Sequence, residues 1–402
     1  MTDVAASPSL AWPMERACPF GPPAEYQRLR AEEPVTKVLL ASGMTIWAVS
    51  RLEDIRQLLT DPRFSSNRHA PGFPRIIKDQ KIIPGFRSSL IDMDAPEHGE
   101  KRREVLSEFT IRRVKAMAPR IQQIVDERID AILDGPKPAD LVKSLALPVP
   151  SLVICELLGV PYHDHEFFQE RTYAMLSRDK VLAERQAAFG ELLAFLDELV
   201  TAKEAEPGDD LLGRLILKQR AGGGVRHQDL KELAFLLLVA GHETTANMAS
   251  LGVLTLLEHP DQLKKIVEDP GKTLNAIEEL LRFLTIAEAA GLRVAIDDVE
   301  IGGQLIRAGE GVIALTISGN RDAEAFVDPD EFDIERSARH HVAFGFGIHQ
   351  CLGANLARLE LQIIFDTLFR RIPGLRLAVP AAELPYKTET TIYGLHELPV
   401  TW

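Results

Sequence analysis

The sequence predicts a mainly α-helical protein with a small β region, folded as a single domain over residues 1–402. Three observations predict it. Apolar residues recur at helical spacing through most of the chain, and one such run, from near Gln228 to His259-Pro260, would extend about 45 Å and cross a whole domain. Strand-like alternation is confined to short stretches, around residues 35–49 and between Val299 and Leu315. No composition shift, low-complexity linker or internal repeat marks a second domain.

Taken in order, residues 35–49 alternate apolar and polar around Ser42-Gly43, which predicts a β-hairpin. Pro62 to Leu90 is irregular and too long for a simple connector, a length usual for functional or mobile loops. Met93 to Met117 reads as one helix, with Asp94 as N-cap, Pro96 in the first turn and Glu97 completing a capping box. Helical stretches follow at Ile121–Leu133, Leu152–Leu158, Asp164–Ser177 and Val181–Ala205. Gly222-Gly223-Gly224 is a turn before the long helix. Two further helices, Leu274–Leu284 and Leu352–Phe369, come after it, the second stopped by Pro373-Gly374. Val299 to Leu315 holds two strand candidates, punctuated by Gly302-Gly303 and Gly309-Glu310-Gly311.

With 46 basic and 59 acidic side chains the net charge is −13, which disfavours nucleic acid as a partner. Between Lys101 and Arg120, however, seven basic residues meet only Glu104 and Glu108, a pattern that by itself describes a solvated helix face. Three cysteines without paired spacing argue for a reducing compartment, and Cys18 and Cys155 read as small buried hydrophobes. The N-terminal stretch lacks the basic start and apolar run of a signal peptide, and no run reaches the roughly 18 apolar residues of a membrane span. The expectation is a cytoplasmic protein.

Cys351 has a different setting. It stands in Phe344-Gly345-Phe346-Gly347-Ile348-His349-Gln350-Cys351-Leu352-Gly353, after a glycine-rich turn and at the head of a strongly helical run. Unpaired N–H groups and the helix dipole there favour a thiolate. Gly345, Gly347 and Gly353 would let the backbone approach a flat ligand, and Ala354 and Ala357 keep the next turn slim. In the long helix, Ala240-Gly241-His242-Glu243-Thr244-Thr245 interrupts an apolar face, and buried polar groups on such a face need partners or a function. Read alone, Thr244 bonds back to a preceding carbonyl and Glu243 faces solvent.

The Cys351 segment resembles the haem-binding loop F-G-x-G-x-H-x-C-x-G of the cytochrome P-450 superfamily; a chance match to its six fixed residues is on the order of one in a million. The likeness covers nearly the whole chain and looks closest to the soluble bacterial, ferredoxin-dependent branch. It implies the triangular, mostly α prism, with haem b between the long distal helix and the proximal Cys351 helix. It implies Cys351 as the iron's axial ligand, Phe344 packed under the haem and His349 near a propionate. Ala240 to Thr245 resembles the family's A-G-x-(D/E)-T-T motif. Gly241 would then leave room for dioxygen, where the helix bulges locally, Thr244 would hydrogen-bond the activated oxygen, and Glu243 would relay protons. His98 and Arg102 match a propionate clamp, with Arg293 as a further propionate ligand. Glu279, Arg282 and Arg336 match a structural triad.

The same resemblance implies a hydroxylase that takes a C–H bond, O₂, two electrons and two protons to an alcohol and water. Electrons would come from NAD(P)H through a ferredoxin reductase and an iron–sulfur ferredoxin docking near Arg112, Arg113 and Lys115. A monomer is the family default, acting on a small molecule and not on a membrane. By family topology, Arg75, Arg87, Leu90, Leu236, Ala240, Ala290 and Ile392 would line the substrate pocket. Most are small or apolar, which points to a bulky hydrophobic ligand such as a terpenoid, steroid-like, macrolide or xenobiotic compound. Two rival readings are a haem-thiolate peroxygenase or isomerase, which normally lacks the acid–alcohol pair, and a non-enzymatic haem-thiolate sensor, which needs no substrate cavity or proton relay.

Overall fold

Helical periodicity prevails over most of the chain. A computed structural model describes residues 10–16, 18–77, 86, 89–161 and 164–402. The long helix runs from His227 to Glu258, 32 residues, close to the span read from the sequence. From Thr245 to Leu256 every residue is buried, so this half is enclosed on all sides and forms the axis of the molecule. Packed against it are helices Pro148–Leu158, Leu182–Ala205, Thr273–Leu284 and Ala354–Arg371. Their apolar faces merge into one large helical core. Helix His165–Leu176 lies along Leu182–Ala205.

Among the described residues, the largest of three sheets is six-stranded, in the order Leu10–Trp12, Val35–Leu40, Thr45–Val49, Gly311–Ala314, Leu292–Ala295, Phe64–Ser65; a three-stranded one joins Arg376–Leu377, Pro399–Thr401 and Ala139–Asp140. The first hairpin pairs Val35 with Val49 and Lys37 with Trp47, and its turn uses Gly43 at φ +84°. Val299–Ile301 pairs with Gln304–Ile306 across Gly302 and Gly303, whose φ values of +54° and +74° are the sign a tight two-residue hairpin turn needs. The six-stranded sheet packs on two smaller apolar clusters, separate from the helical core. Strand Leu292–Ala295 had no sequence signal beyond four buried residues, because a fully buried strand shows no alternation.

The expected helix Met93–Met117 is broken. It forms Glu97–Leu106, a single 3₁₀ turn Ser107–Phe109, and Ile111–Ala116, whose Thr110 hydroxyl accepts from the Arg113 N–H. The Asp94–Glu97 capping box does not form. Pro96 is the N-cap residue, and the Asp94 carboxylate is taken by the Ser65 hydroxyl and by the Ser66 N–H at 2.8 Å. A long-range partner outcompetes the local one. Cys155 is buried as expected, but Cys18 is exposed.

The triad Glu279, Arg282 and Arg336 is assembled. Arg282 donates to both Glu279 oxygens at 2.7 and 2.8 Å, both side chains have no exposed surface, and Arg336 Nε donates to Glu279 Oε1 at 3.1 Å. Arg282 also donates to the carbonyls of Asn320 and Pro329, each at 2.8 Å. The Asn320 side-chain oxygen in turn accepts from the N–H of Val342 at 2.8 Å, which anchors the start of the Cys351 loop.

Candidate active site

The Cys351 loop is closed by its own backbone. The Cys351 N–H donates to the Phe344 carbonyl at 2.8 Å and the Gln350 N–H to that of Gly347 at 3.1 Å. Gly345 and Gly347 both sit at φ +72°, and a side chain at Gly347 would lie 2.8 Å from the Leu59 carbonyl. Only glycine fits there. Cys351 opens onto a cavity while protein surrounds it otherwise. Burial pushes its thiol pKa up; the Gly353 N–H, Arg102 and Arg358 work the other way. Phe344 lies on the same wall, with the Arg358 guanidinium 4.7 Å from its ring centre.

The opposite wall is the long helix. Ala240, Gly241, Thr244, Thr245 and Met248 face the cavity. Thr244 Oγ1 donates to the Ala240 carbonyl at 2.8 Å, the back-bond that its position alone suggested. Glu243 is not solvated. It is buried and pairs with Lys387 at 2.7 Å, with Asn247 Nδ2 at 3.1 Å from the same oxygen. Burial pushes its pKa up, but Lys387, His242 and Asn247 outweigh that and leave it below the usual range, so it is a carboxylate. The helix is continuous, with no local bulge. At Gly241 a side chain would lie 2.8 Å from Ile154 Cδ1, so the missing Cβ serves the close approach of helix Pro148–Leu158.

The rim carries a cluster of donors. His98 and His349 have ring centres 4.2 Å apart, and both line the cavity with Arg102 and Arg293. Arg102 donates to the Gln350 carbonyl at 2.6 Å, and Ser66 Oγ lies 3.0 Å from His349 Nε2. Burial followed by repulsion from Arg293, His98 and Arg102 pushes the His349 pKa down to about 3. Burial lowers Arg293 to about 10, and His98 Nε2 is buried without a partner. Such a set of converging donors suits two carboxylates carried by a ligand.

The cavity measures about 350 Å³ and is walled mostly by apolar groups. Leu90, Leu236, Ala240 and Ala290 of the expected pocket set are on its wall. Arg75 is not: Phe73 and Pro74 are buried toward the sheet, and Arg75 projects outward, exposed. Ile392 packs half-buried on the helical core and is likewise off the wall; the next residue, Tyr393, donates its N–H to the carbonyl of the lining residue Ile286 at 2.9 Å. Arg87 lies outside the described residues. Arg112, Arg113 and Lys115 are exposed on Ile111–Ala116, which packs on the helix following Cys351. Two polar residues had no sequence signal. Lys387 reaches Glu243 from the far end of the chain, and Glu360 lines the cavity, buried, with Oε2 unpartnered and its pKa pushed well up by burial.

A thiol with an N–H nearby, a facing wall of small residues and a rim of converging donors fit a flat metallo-macrocycle with two propionates. The family model for cytochrome P450 matches residues 33–380. The chain belongs to the cytochrome P450 family. Pentalenic acid synthase of Streptomyces avermitilis is 50% identical over the full length of both chains. The crystal structure of the P450 MoxA from Nonomuraea recticatena is 55% identical, covers 98% of each chain and superposes with a TM-score of 0.89. The mycinamicin VIII C21 methyl hydroxylase MycCI of Micromonospora griseorubida, solved with mycinamicin VIII bound, is 43% identical with a TM-score of 0.93, covering 98% of this chain and 100% of that one. The P450 is thus a monooxygenase of the hydroxylase type, with haem iron as its cofactor. Among the described residues no helix is long and apolar enough to cross a membrane.

Proposed function

We propose that this P450 hydroxylates a bulky, mainly hydrophobic small molecule of the terpenoid, steroid-like or macrolide kind, with electrons delivered by an iron–sulfur ferredoxin from NAD(P)H. The observation that carries the reading is one cavity with Cys351 on one wall, Thr244 and Ala240 on the other, and the donors His98, Arg102, Arg293 and His349 at its rim. Cys351 would ligate the haem iron, and the four rim residues would hold its propionates. When bound, the haem-thiolate group supplies the reduction of O₂ and the transfer of one oxygen atom to a C–H bond, the other leaving as water.

The rest falls to the chain's own side chains. Leu90, Leu236, Leu237, Ala287 and Ala290 exclude water and press an apolar ligand into place. The Thr244 hydroxyl, now bonded to Ala240, would turn to donate into the cavity, and the Glu243 carboxylate would take a proton from water and pass it on to that hydroxyl. Arg112, Arg113 and Lys115 steer an acidic ferredoxin to the Cys351 side. Pentalenic acid synthase and the mycinamicin hydroxylase support the substrate class by their identity to this chain.

The test is optical. The reduced, carbon-monoxide-bound protein should show the strongly red-shifted Soret band of thiolate ligation, lost in Cys351→Ala. Titration of the oxidised protein with mycinamicin VIII, a tricyclic sesquiterpene acid and testosterone should give a substrate-type spectral shift for at least one. A histidine-type spectrum would refute the ligand, and shifts only with small polar compounds would refute the substrate class.

A further inference from the structure

Among the described residues, three other than glycine have positive φ, Leu90, Thr285 and Asp328, and of these only Thr285 is β-branched. At φ 36° and ψ 76° it ends the helix Thr273–Leu284, in the left-handed conformation that glycine usually supplies there. A threonine keeps that conformation only where its surroundings over-determine it, and here they do. The Thr285 N–H donates to the Leu281 carbonyl at 3.1 Å. Its hydroxyl lies 2.9 Å from the Arg282 carbonyl and 3.1 Å from that of Leu281, and it accepts from Asn320 Nδ2 at 2.8 Å. Both side chains are buried, so water offers neither an alternative partner.

Asn320 is engaged on every side. Its side-chain oxygen accepts from the Val342 N–H, which can only donate, so that contact fixes the amide's orientation and aims its NH₂ at Thr285. Its own N–H donates to the Thr316 carbonyl at 3.0 Å, and its carbonyl accepts from Arg282. The two ends of the amide lead to different stretches of the cavity wall. Past Thr285, Ile286, Ala287, Ala290 and Gly291 line the cavity, and then Leu292 pairs with Ile313 in the sheet. Past Val342, Ala343 and Phe344 line it on the way to Cys351, and the Gly345 N–H returns to the Val342 carbonyl at 2.9 Å. The segment 286–291 is thus pinned downstream by the sheet, and its departure from the helix is set at Thr285.

We propose that Thr285 and Asn320 are a positioning pair. One buried amide keeps the wall segment 286–291 and the start of the Cys351 loop in a single arrangement, so that a ligand pressing on Ile286, Ala287 and Ala290 also tightens the loop that carries the thiolate. Both residues act through the segments they hold. The Thr285 hydroxyl is the link, and losing it disconnects the two stretches of wall. The inference rests on the reading of this cavity as the pocket for a bulky apolar ligand.

The experiment uses the haem-loaded enzyme, with and without the panel compound that gives the largest spectral shift. In the wild type that compound should slow amide hydrogen exchange across 286–291 and also across 342–345. Thr285→Gly accepts the positive φ without strain but has no hydroxyl, so its Tm should stay within about 2 °C of wild type. In this variant the compound should still slow exchange across 286–291 but no longer across 342–345, and its Kd should weaken about fivefold. Asn320→Ala should break the same link from the other side. Thr285→Ser keeps the hydroxyl and should retain the protection of 342–345, with a Kd within about twofold of wild type. Thr285→Val keeps the shape but leaves Asn320 Nδ2 unpaired, and its Tm should fall by about 4 °C.

Protection of 342–345 that survives in Thr285→Gly, or that is missing in the wild type, would overturn the link. Should no panel compound shift the wild-type spectrum, the substrate class falls, and the ligand-free enzyme decides the pair. Thr285→Gly should then speed exchange across 342–345, and an unchanged rate there would refute the tie between wall and loop.

Discussion

Replacing Glu279 by Gln tests how a buried charge far from the cavity shapes the cysteine loop. The substitution keeps the side-chain shape and one accepting oxygen but removes the negative charge between Arg282, which is wholly buried, and Arg336. Breaking one partner of a buried ion pair costs about 3–5 kcal/mol. The lower end applies here, because Arg282 retains the carbonyls of Asn320 and Pro329, and that of Glu331 at 3.2 Å. For a chain of 402 residues the unfolding entropy is roughly 0.8 kcal/mol/K, so about 3 kcal/mol corresponds to a Tm lowered by about 4 °C. The chain of contacts from Arg282 through Asn320 to Val342 carries the disturbance to the loop before Phe344. Thermal melts followed at the Soret band and by circular dichroism would measure both effects. The Soret transition should precede the loss of helix in Glu279→Gln and coincide with it in the wild type. A Tm within 1 °C of wild type would refute the argument that the pair is uncompensated.

Three further outcomes follow from the geometry. In the haem-loaded enzyme at pH 8 an aromatic disulfide reagent should titrate Cys18, which is exposed, and spare Cys155, which burial pushes up to about 12, until the protein unfolds. Gly72→Ala should destabilise by about 2–3 kcal/mol in urea titration, because φ is +81° and the new Cβ would lie 1.9 Å from the Gly309 carbonyl oxygen. Arg112→Glu/Arg113→Glu should slow reduction by ferredoxin about tenfold at low ionic strength, and the difference should shrink toward 1 M salt while the carbon-monoxide spectrum is unchanged. A salt-independent deficit would place the ferredoxin elsewhere.

The parts of the architecture that local chemistry decides could be read from the sequence. The long helix ends at His259-Pro260 because proline cannot continue it, and Gly302-Gly303 makes its hairpin because both residues must adopt positive φ. The Cys351 loop is legible for the same reason, its glycines and thiol falling within ten consecutive residues. What escaped depends on partners far along the chain. Asp94 is drawn from its capping role by Ser65 and Ser66, and Glu243 finds Lys387, 144 residues away, through a hairpin with no motif. Gly241 lines the cavity, but its second constraint, the close approach of Ile154 on the neighbouring helix, has no sign in the motif. Arg75 turns outward because its two predecessors are claimed by the sheet's core. In each case the deciding free energy lies in a tertiary contact that no window of sequence contains.

The separation of the apolar interior into one helical and two sheet-borne clusters has an evolutionary consequence. The cavity wall draws Leu237 and Met248 from the helical cluster and Leu59 and Val342 from a sheet-borne one, while Arg293 comes from a strand whose neighbours Leu292 and Val294 belong to the third. The ligand chamber is therefore a seam between independently packed masses. Lineages can drift at the seam, trading Ala for Leu or Leu for Phe along it, while each mass keeps its own jigsaw intact. One scaffold can in this way diversify its chemistry among tailoring reactions without renegotiating its foldability.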